Sequence, residues 1–449
     1  MSEKYLEQLE QKHQEFYSKV RATRRLDISF IPENNPPLTN EEKEKIDEFW
    51  KPYSFAYPEI DYQSFQTFKN LTGASTVDVR HCPGAIRTMY FMKWFNNPNY
   101  SVACQNKALL DKLFPHIKTP KTIIRCMGGY LYDSNYRMIS VAEAVQCIIN
   151  SIQNGSDLIY KPSGLGGSRG IRFITSETTE SALKQTARSL IGSASIAFVI
   201  QEVMCQHPFM AQFNPQSVNT IRVTSLLHKG EVHVLAGLIR VGKLGNRVDN
   251  FSAGGFIIGF DIKTGRCNSW AMTHENIRYS VLPSGLDLSS KTIILPNIDK
   301  LHQMVTYMHS QIPYIKMISW DIAIDTDEEF VLIENNFAGM IQIHEAVTGP
   351  LFGELMKPLL DEYLLKKFYF SFRAENFLCR EYHDHISIEK YTGALEEVVI
   401  PSKLANKPVT IIMENAFSAS VKRLVCSQAI MKSSAKALWK IEEIIIKKE

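Results

Sequence analysis

The residues best suited to chemistry lie in two short stretches. The first is Asp157-Leu158-Ile159-Tyr160-Lys161-Pro162-Ser163-Gly164-Leu165-Gly166-Gly167-Ser168-Arg169-Gly170. An apolar strand ends in Lys-Pro, a glycine- and serine-rich loop follows, and a second apolar run covers Ile171 to Ile174. Glycines let backbone N–H groups approach an anion and a lysine adds fixed positive charge, so this stretch could wrap a phosphate. No lysine follows the glycines, as a Walker A loop requires, and Arg169 stands where Gly-x-Gly-x-x-Gly needs its third glycine. Strand patterns on both sides suit a β-hairpin lid over a nucleotide. An ordinary hairpin turn would use the same residues.

The second stretch is a pair of apolar runs, Ile318 to Ile324 and Phe330 to Asn336, around Thr326-Asp327-Glu328-Glu329. A two-residue turn at Asp327-Glu328 would set Ile324 opposite Val331, Ile322 opposite Ile333 and Asp321 opposite Glu334. Asn336 would share the face of Glu334, two residues along. Like charges directly opposite repel, and a carboxylate inside an apolar strand is costly. A hard cation answers both problems. Two carboxylates and an amide oxygen, completed by phosphate oxygens and water, suit Mg²⁺ or Mn²⁺. If one strand is a sheet edge, the acids would be solvated instead.

The elements that must position these groups follow an α/β pattern. Lys107 to Phe114 starts an amphipathic helix. Thr122 to Arg125 is a strand, Val141 to Ile152 a helix, Thr179 to Ile191 another helix, and Ala197 to Glu202 a strand. Asn219 to Ser225 and Glu231 to Arg240 read as a hairpin through Lys229-Gly230. Val248 to Gly255, with Asp249, Asn250 and Ser252 beside paired glycines, reads as a binding loop, or as a connecting turn. Ahead of all this, residues 1 to 100 read as helical: Leu6, Leu9, His13, Phe16 and Val20 recur at helical spacing, and Thr39 to Glu42 has capping-box form before a helix through Trp50.

Composition bounds the function. The 449 residues are 45% hydrophobic and 22% charged, with net charge +3, which gives no electrostatic case for nucleic acid. No apolar run reaches ~18 residues, so no membrane span is expected. Eight scattered cysteines form no Cys-x-x-Cys, and Met1 to Lys12 is polar, so a cytoplasmic protein without disulfides is expected.

Taken in order, Lys107, Lys161 with its glycine loop, Gln201-Glu202-Val203, Asn219 with Arg222, and Asp321 with Glu334-x-Asn336 resemble the ATP-grasp superfamily over about residues 100 to 365. Gln206-His207-Pro208, Ser217 to Arg222 and Val248 to Gly255 look like its sugar-transfer-associated branch, linked to bacterial surface-glycan assembly. The resemblance implies an α+β fold of two lobes clasping ATP: a nucleotide lobe over 101–205 and a metal and substrate lobe over 206–370. It also implies that Lys107 and Lys161 contact ATP phosphates and that Ser163, Gly164, Gly166, Gly167 and Ser168 form the lid. Backbone of Gln201 to Val203 would face adenine, with Glu202 near the ribose. Asp321, Glu334 and Asn336 would hold Mg²⁺ (or Mn²⁺), and Arg222, with Arg240 as a second candidate, would neutralise the transferring phosphoryl group. Asn219, Asp249, Asn250 and Ser252 would meet the substrate. Phe337-Ala338-Gly339 departs from the family, where many relatives have proline.

The chemistry implied is ATP-dependent ligation of a carboxylate to an amine through an acyl phosphate. A phosphotransferase, or a nucleotide-binding scaffold of a glycan-assembly complex, would use the same site. The substrate would be a small molecule or glycan-linked. Beyond Lys367 the style changes: residues 380–449 alternate strand runs with Asn415-Ala416-Phe417-like units and resemble about two leucine-rich repeats of bacterial surface proteins, a possible protein-binding segment, or else a β appendage.

Overall fold

The structure, a computed structural model, describes residues 4–24, 35–163, 169–175, 185, 197–337, 341–434 and 436–447. The chain opens with helices α1 (Lys4–Arg24), α2 (Asn40–Trp50) and α3 (Tyr62–Thr72). In α1 the buried apolar positions are Tyr5, Leu9 and Val20, while Leu6 turns to solvent at 44% exposure. The capping box of α2 forms as expected. Thr39 Oγ1 accepts from the Glu42 N–H (3.2 Å), and Glu42 Oε2 accepts from the Thr39 N–H (2.9 Å). Glu42 also takes the Val77 N–H and the Lys69 ammonium, which explains how this cap carboxylate is tolerated in the interior.

The first sheet has strand order β2-β1-β5-β3-β4 and only antiparallel pairs. Its strands are β1 (Thr122–Met127), β2 (Tyr130–Asp133), β3 (Leu158–Pro162), β4 (Arg172–Ile174) and β5 (Phe198–Glu202). Helix α4 (Val141–Gln153), capped by Ser140 and Glu143, buries Ala144, Ile148, Ile149 and Ile152 against Ile124, Leu158 and Ile200. The expected helix from Thr179 to Ile191 lies outside the described residues apart from Gln185. So do Gly164, Gly166, Gly167 and Ser168 of the glycine loop.

The second sheet is β10-β9-β8-β7-β6-β11-β12. Its strands are β6 (Thr220–His228), β7 (Glu231–Val241), β8 (Phe256–Phe260), β9 (Ala271–Met272), β10 (Arg278–Tyr279), β11 (Met317–Ile324) and β12 (Phe330–Asn336). Lys229 (φ 50) and Gly230 (φ 87) make the β6–β7 turn, the paired positive φ of a tight hairpin. One face of the sheet is apolar, with Ile221, Val223, Ile239, Trp320 and Ile322 packed on Leu301, Val305 and Met308 of α5 (Ile298–Ser310). The other face meets α6 (Ile341–Thr348), through Leu238 and Ile257 against Ile343 and Val347.

The β11–β12 hairpin differs from the expected one. Asp325, not Asp327, opens the turn: its Oδ1 accepts from the N–H groups of Asp327 and Glu329, both at 3.0 Å, and Glu328 takes φ 63. The loop is therefore one residue longer than the expected two. Ile324 faces Phe330 rather than Val331, and Ile322 faces Leu332 rather than Ile333. A β-bulge at Ile333 then absorbs the slip and returns Glu334 opposite Asp321. Phe330 and Leu332 lie in the α5-side core. Without the bulge, Glu334 would point into that core too, because alternate strand residues share a face.

The stretch from Phe370 to Lys447 builds two smaller sheets. Strands β13 (Phe370–Ala374), β14 (Phe377–Glu381), β15 (Ile386–Tyr391), β16 (Glu397–Val399), β17 (Lys403–Leu404), β18 (Lys407–Ile412), β19 (Arg423–Ser427) and β20 (Glu443–Lys447) arrange as β13-β14-β15-β18-β17 and as a parallel β16-β19-β20. These sheets share one core with the N-terminal helices. Tyr5 stacks on Phe372 with ring centres 6.0 Å apart, His13 Nε2 lies 2.9 Å from Glu381 Oε2, and Phe16 packs on Phe368 and Phe370.

Candidate nucleotide and metal site

Between the first and second sheets lies a cavity of about 640 Å³, a volume suited to a nucleotide-sized ligand. Lys107, Lys161, Glu202, Val203, Arg222, Arg240, Asp249, Asn250, Ser252, Asp321, Glu334 and Asn336 all line it. Thus twelve residues far apart in sequence meet on one surface. Their strand parity explains it: Arg222, Arg240, Asp321 and, through the bulge, Glu334 and Asn336 project from the face opposite α5.

Asp321 is the centre of the charge cluster. Its side chain is only 3% exposed. Arg222 Nε and Nη2 donate to its two oxygens, both at 2.7 Å, Arg240 Nη1 donates at 3.0 Å and Asn336 Nδ2 at 3.2 Å. Arg222 and Asp321 are cross-strand neighbours, so the bidentate pair costs little side-chain ordering. Burial pushes the Asp321 carboxyl up, but Arg222 and Arg240 beside it hold it below the usual carboxylate range. Glu334 takes Lys107 Nζ at 3.1 Å. The opposed acids are therefore neutralised by protein cations, and the expected need of a metal to hold them together is corrected accordingly. The donor set still fits a hard cation: two carboxylates and an amide oxygen side by side on the cavity wall. Its third member being an amide, it includes only two of the acidic, His or Cys groups that cluster metals, and no group of three such residues occurs among the described residues.

Lys161 Nζ donates to Gln201 Oε1 at 3.1 Å. Burial lowers its ammonium to about 8, against the pull of Glu334. Gln201 is itself buried and spends its amide on Thr122 Oγ1 (3.2 Å), so it orients the lysine rather than meeting a ligand. The hinge N–H groups are likewise engaged: Glu202 N–H donates to Lys121 O (2.9 Å) and Val203 N–H to Asp157 O (2.8 Å). Met204 and Cys205, the next residues of the hinge, line the cavity with Ile159, Ile171, Phe173 and Ile333. The Glu202 carboxylate is held by Lys121 at 2.8 Å.

On the opposite rim, Asp249 pairs with Arg240 (3.5 Å) and accepts from the Thr220 hydroxyl. Asn250 Oδ1 accepts from the Ser252 N–H at 3.1 Å, which shapes the loop. A Cβ at Gly255 would come 2.7 Å from the Val241 carbonyl, so this loop requires its glycine. Asn219 is buried away from the cavity. Its amide donates to Met210 O and Asn214 O (both 2.8 Å) and accepts from the Ser217 hydroxyl (2.9 Å). It braces the loop before β6 instead of facing a substrate. Ser163 N–H donates to Ala197 O at 2.6 Å, carrying the β3–β5 pairing one residue further.

Sequence alone missed Arg247. It stacks over Phe173 (4.1 Å to the ring centre) and pairs with Asp157 (3.0 Å), joining the two lobes. It missed also the buried histidines behind the site. His344 Nε2 is 3.0 Å from Thr224 Oγ1, and His309 Nδ1 is 2.7 Å from Ser225 Oγ. Burial pushes them down to about 3 and about 4, so both are neutral packing groups, not acid–base catalysts.

Residues 86–356, more than half of the chain, match the sugar-transfer associated ATP-grasp family. The chain belongs to that family. Its fold is the α+β ATP-grasp fold, with the cavity in the grasp of the two lobes. Solved structures similar to this ATP-grasp chain include the ATP-grasp ligase PsnB complexed with minimal precursor (14% identity, 59% of this chain and 62% of that chain, TM-score 0.33). Others are the D-cycloserine synthetase DcsG (10%, 58% and 71%, 0.35) and the D-alanyl-alanine synthetase A from Vibrio cholerae (12%, 59% and 68%, 0.34). The chain spans less than two thirds of the PsnB chain. No curated protein matches it.

Proposed function

We propose that this ATP-grasp protein is an ADP-forming ligase that joins a carboxylate to an amine, acting on an amino acid or sugar of a surface glycan under assembly. One observation carries the reading: Lys107, Lys161, Arg222 and Arg240 converge with Asp321, Glu334 and Asn336 on a single cavity. Carboxylates are poor electrophiles because oxide is a poor leaving group. In the first step a substrate carboxylate oxygen attacks the terminal phosphorus of ATP, the bond to the bridging oxygen breaks, and ADP departs. The amine then attacks the acyl carbon of the acyl phosphate, phosphate leaves, and the new amide sheds a proton. Such transfer needs positioning and charge neutralisation above all. Lys107 and Lys161 supply charge to the phosphates, and Arg222 and Arg240 supply it where the phosphoryl group moves. Asp321, Glu334 and Asn336 would hold Mg²⁺, which when bound adds further neutralisation of phosphate oxygens. Met204, Ile159 and Phe173 offer the base an apolar slot. Asp249, Asn250 and Ser252 stand on the rim for the acceptor.

The reading places the protein in the cytoplasm with its ATP; among the described residues no helix is long and apolar enough to cross a membrane. The parallel β16-β19-β20 ladder supports reading the C-terminal segment as leucine-rich-repeat-like and able to hold a protein partner.

ADP release from ATP and Mg²⁺ against panels of amino acids and nucleotide sugars tests the function, with Glu334→Gln as the blank. Release only when a carboxylate and an amine are both present supports ligation. Release with an acceptor lacking an amine would replace it by phosphotransfer, and failure to bind ATP at all would remove both.

Lys161 adds a pH signature. A phosphate anion favours the charged lysine, so affinity is full below the free-protein value of about 8. Above it, ATP binding is expected to fall by up to about tenfold per pH unit until the higher value of the complex is reached. Calorimetric titration from pH 7 to 9.5 reads this. The slope should vanish in Lys161→Arg, and a flat wild-type profile contradicts the phosphate role.

A further inference from the structure

Strand β20 is the outer strand of the parallel β16-β19-β20 sheet, and among the described residues nothing pairs with its free edge. An open edge presents a row of N–H and C=O groups able to pair with another strand. This one is also apolar: Ile445 and Ile446 are 42% and 41% exposed, and Trp439, in the loop leading into β20, is 75% exposed. Across the sheet Val399, Val425 and Ile445 align in register, so an apolar row runs from β16 to the open edge. A second row is charged and alternates in sign. Glu397, Arg423 and Glu443 align, and Arg423 bonds both acids, at 3.0 and 2.6 Å.

The sequence of the edge reads Glu442-Glu443-Ile444-Ile445-Ile446-Lys447-Lys448. Reversed, it is the same pattern with the charges exchanged. Lysine on an edge usually blocks strand pairing. Here the block has its complement at the other end of the strand. A parallel copy would set Glu443 against Glu443 and Lys447 against Lys447, which is repulsive. An antiparallel copy centred on Ile445 sets Glu443 against the second copy's Lys447 at both ends, and Ile444 against the second copy's Ile446. The apolar row then continues through Ile445 into the second copy. We propose that β20 is a homodimer interface, formed by antiparallel pairing of two β20 strands about Ile445. The arrangement is self-complementary and closes after two copies, because the pairing uses the β20 edge of both.

A two-strand contact is at the small end of specific interfaces, ~1,200 Å² or less, so association in the range of about 1–100 μM is expected. Sedimentation of the full chain over that range tests it. The wild-type mass should rise from one copy towards two. Glu443→Lys and Lys447→Glu should each remain single copies, since each alone places like charges opposite. An equimolar mixture of the two variants should regain the dimer, because lysine of one then faces glutamate of the other at both ends. Lys447→Glu keeps the Arg423–Glu443 contact, so its loss of association does not reflect damage to the sheet. A wild-type chain that stays single at every concentration overturns the proposal. So does a dimer that persists in both variants, or a mixture that stays unpaired. The test is independent of nucleotide chemistry.

Discussion

Glu334→Gln keeps wild-type stability and loses about 10²–10³-fold in ATP-dependent turnover, while Asp321→Ala loses the fold's stability as well. The two acids face each other yet stand in different settings. Glu334 is 27% exposed and ion-paired to Lys107, itself 16% exposed. Such a partly solvated pair contributes ~1 kcal/mol or less. Glutamine keeps its shape, so only the charge offered to a cation and to Lys107 is lost. Asp321 is sealed at 3% exposure beneath two guanidinium groups. Alanine there leaves Arg222 and Arg240 buried without their shared counter-ion, a loss of about 3–5 kcal/mol. Urea denaturation and ADP release on the same two variants separate the effects. Wild-type turnover by Glu334→Gln removes the metal assignment. Wild-type stability of Asp321→Ala would show that the arginines find other partners.

Deleting residues 380–449 has an effect larger still. The sequence invites cutting there, at a change of style after an apparently complete catalytic region. Yet Ile386, Ile388, Val409, Leu424, Cys426 and Ile430 belong to the same core as Tyr5, Leu9, Trp50 and Tyr90. Each large apolar side chain buried contributes ~1.5–3 kcal/mol. Losing this many exceeds the ~5–15 kcal/mol that holds a domain folded. The truncated chain is expected to aggregate on expression and to be cut by protease within residues 1–100. A soluble truncated chain that melts cooperatively and still binds ATP would show that the lobes carry the helices without help.

What could be read from sequence was local. The capping box at Thr39, the Lys229-Gly230 turn and the strand runs depend on neighbours a few residues apart, and they stand where expected. The Asp321–Glu334 pairing was reached through an incorrect turn. Asp325 lengthened the loop by one residue, and the bulge at Ile333 restored the register. Two deviations cancelled, and neither has a signal in hydrophobic alternation, since Ile333 fits a regular strand equally well. The lysines, arginines and acids of the cavity were legible by type and order. Their mutual pairing was not, because Arg222 and Asp321 meet only once β6 and β11 are adjacent, 99 residues apart. Asn219 was assigned to the substrate through the family resemblance, from its place in the motif order. Only Gln206, Met210 and Asn214 around it show that its hydrogen bonds are spent. Arg247 gave no signal, as its stacking on Phe173 joins separate lobes.

The core shared between the first helices and the last strands also sets an order of events during synthesis. Helix α1 leaves the ribosome ahead of both lobes, but the aromatic residues it packs on, Phe368, Phe370 and Phe372, are made more than three hundred residues later. At about 5–20 residues per second, that is a wait of the order of tens of seconds. The two lobes between them can close meanwhile, since their strands pair among themselves. The apolar face of α1 must therefore spend that interval uncovered or shielded by a chaperone. The nascent chain is most prone to aggregation after its ATP-grasp lobes are complete and before strands β13 to β20 appear.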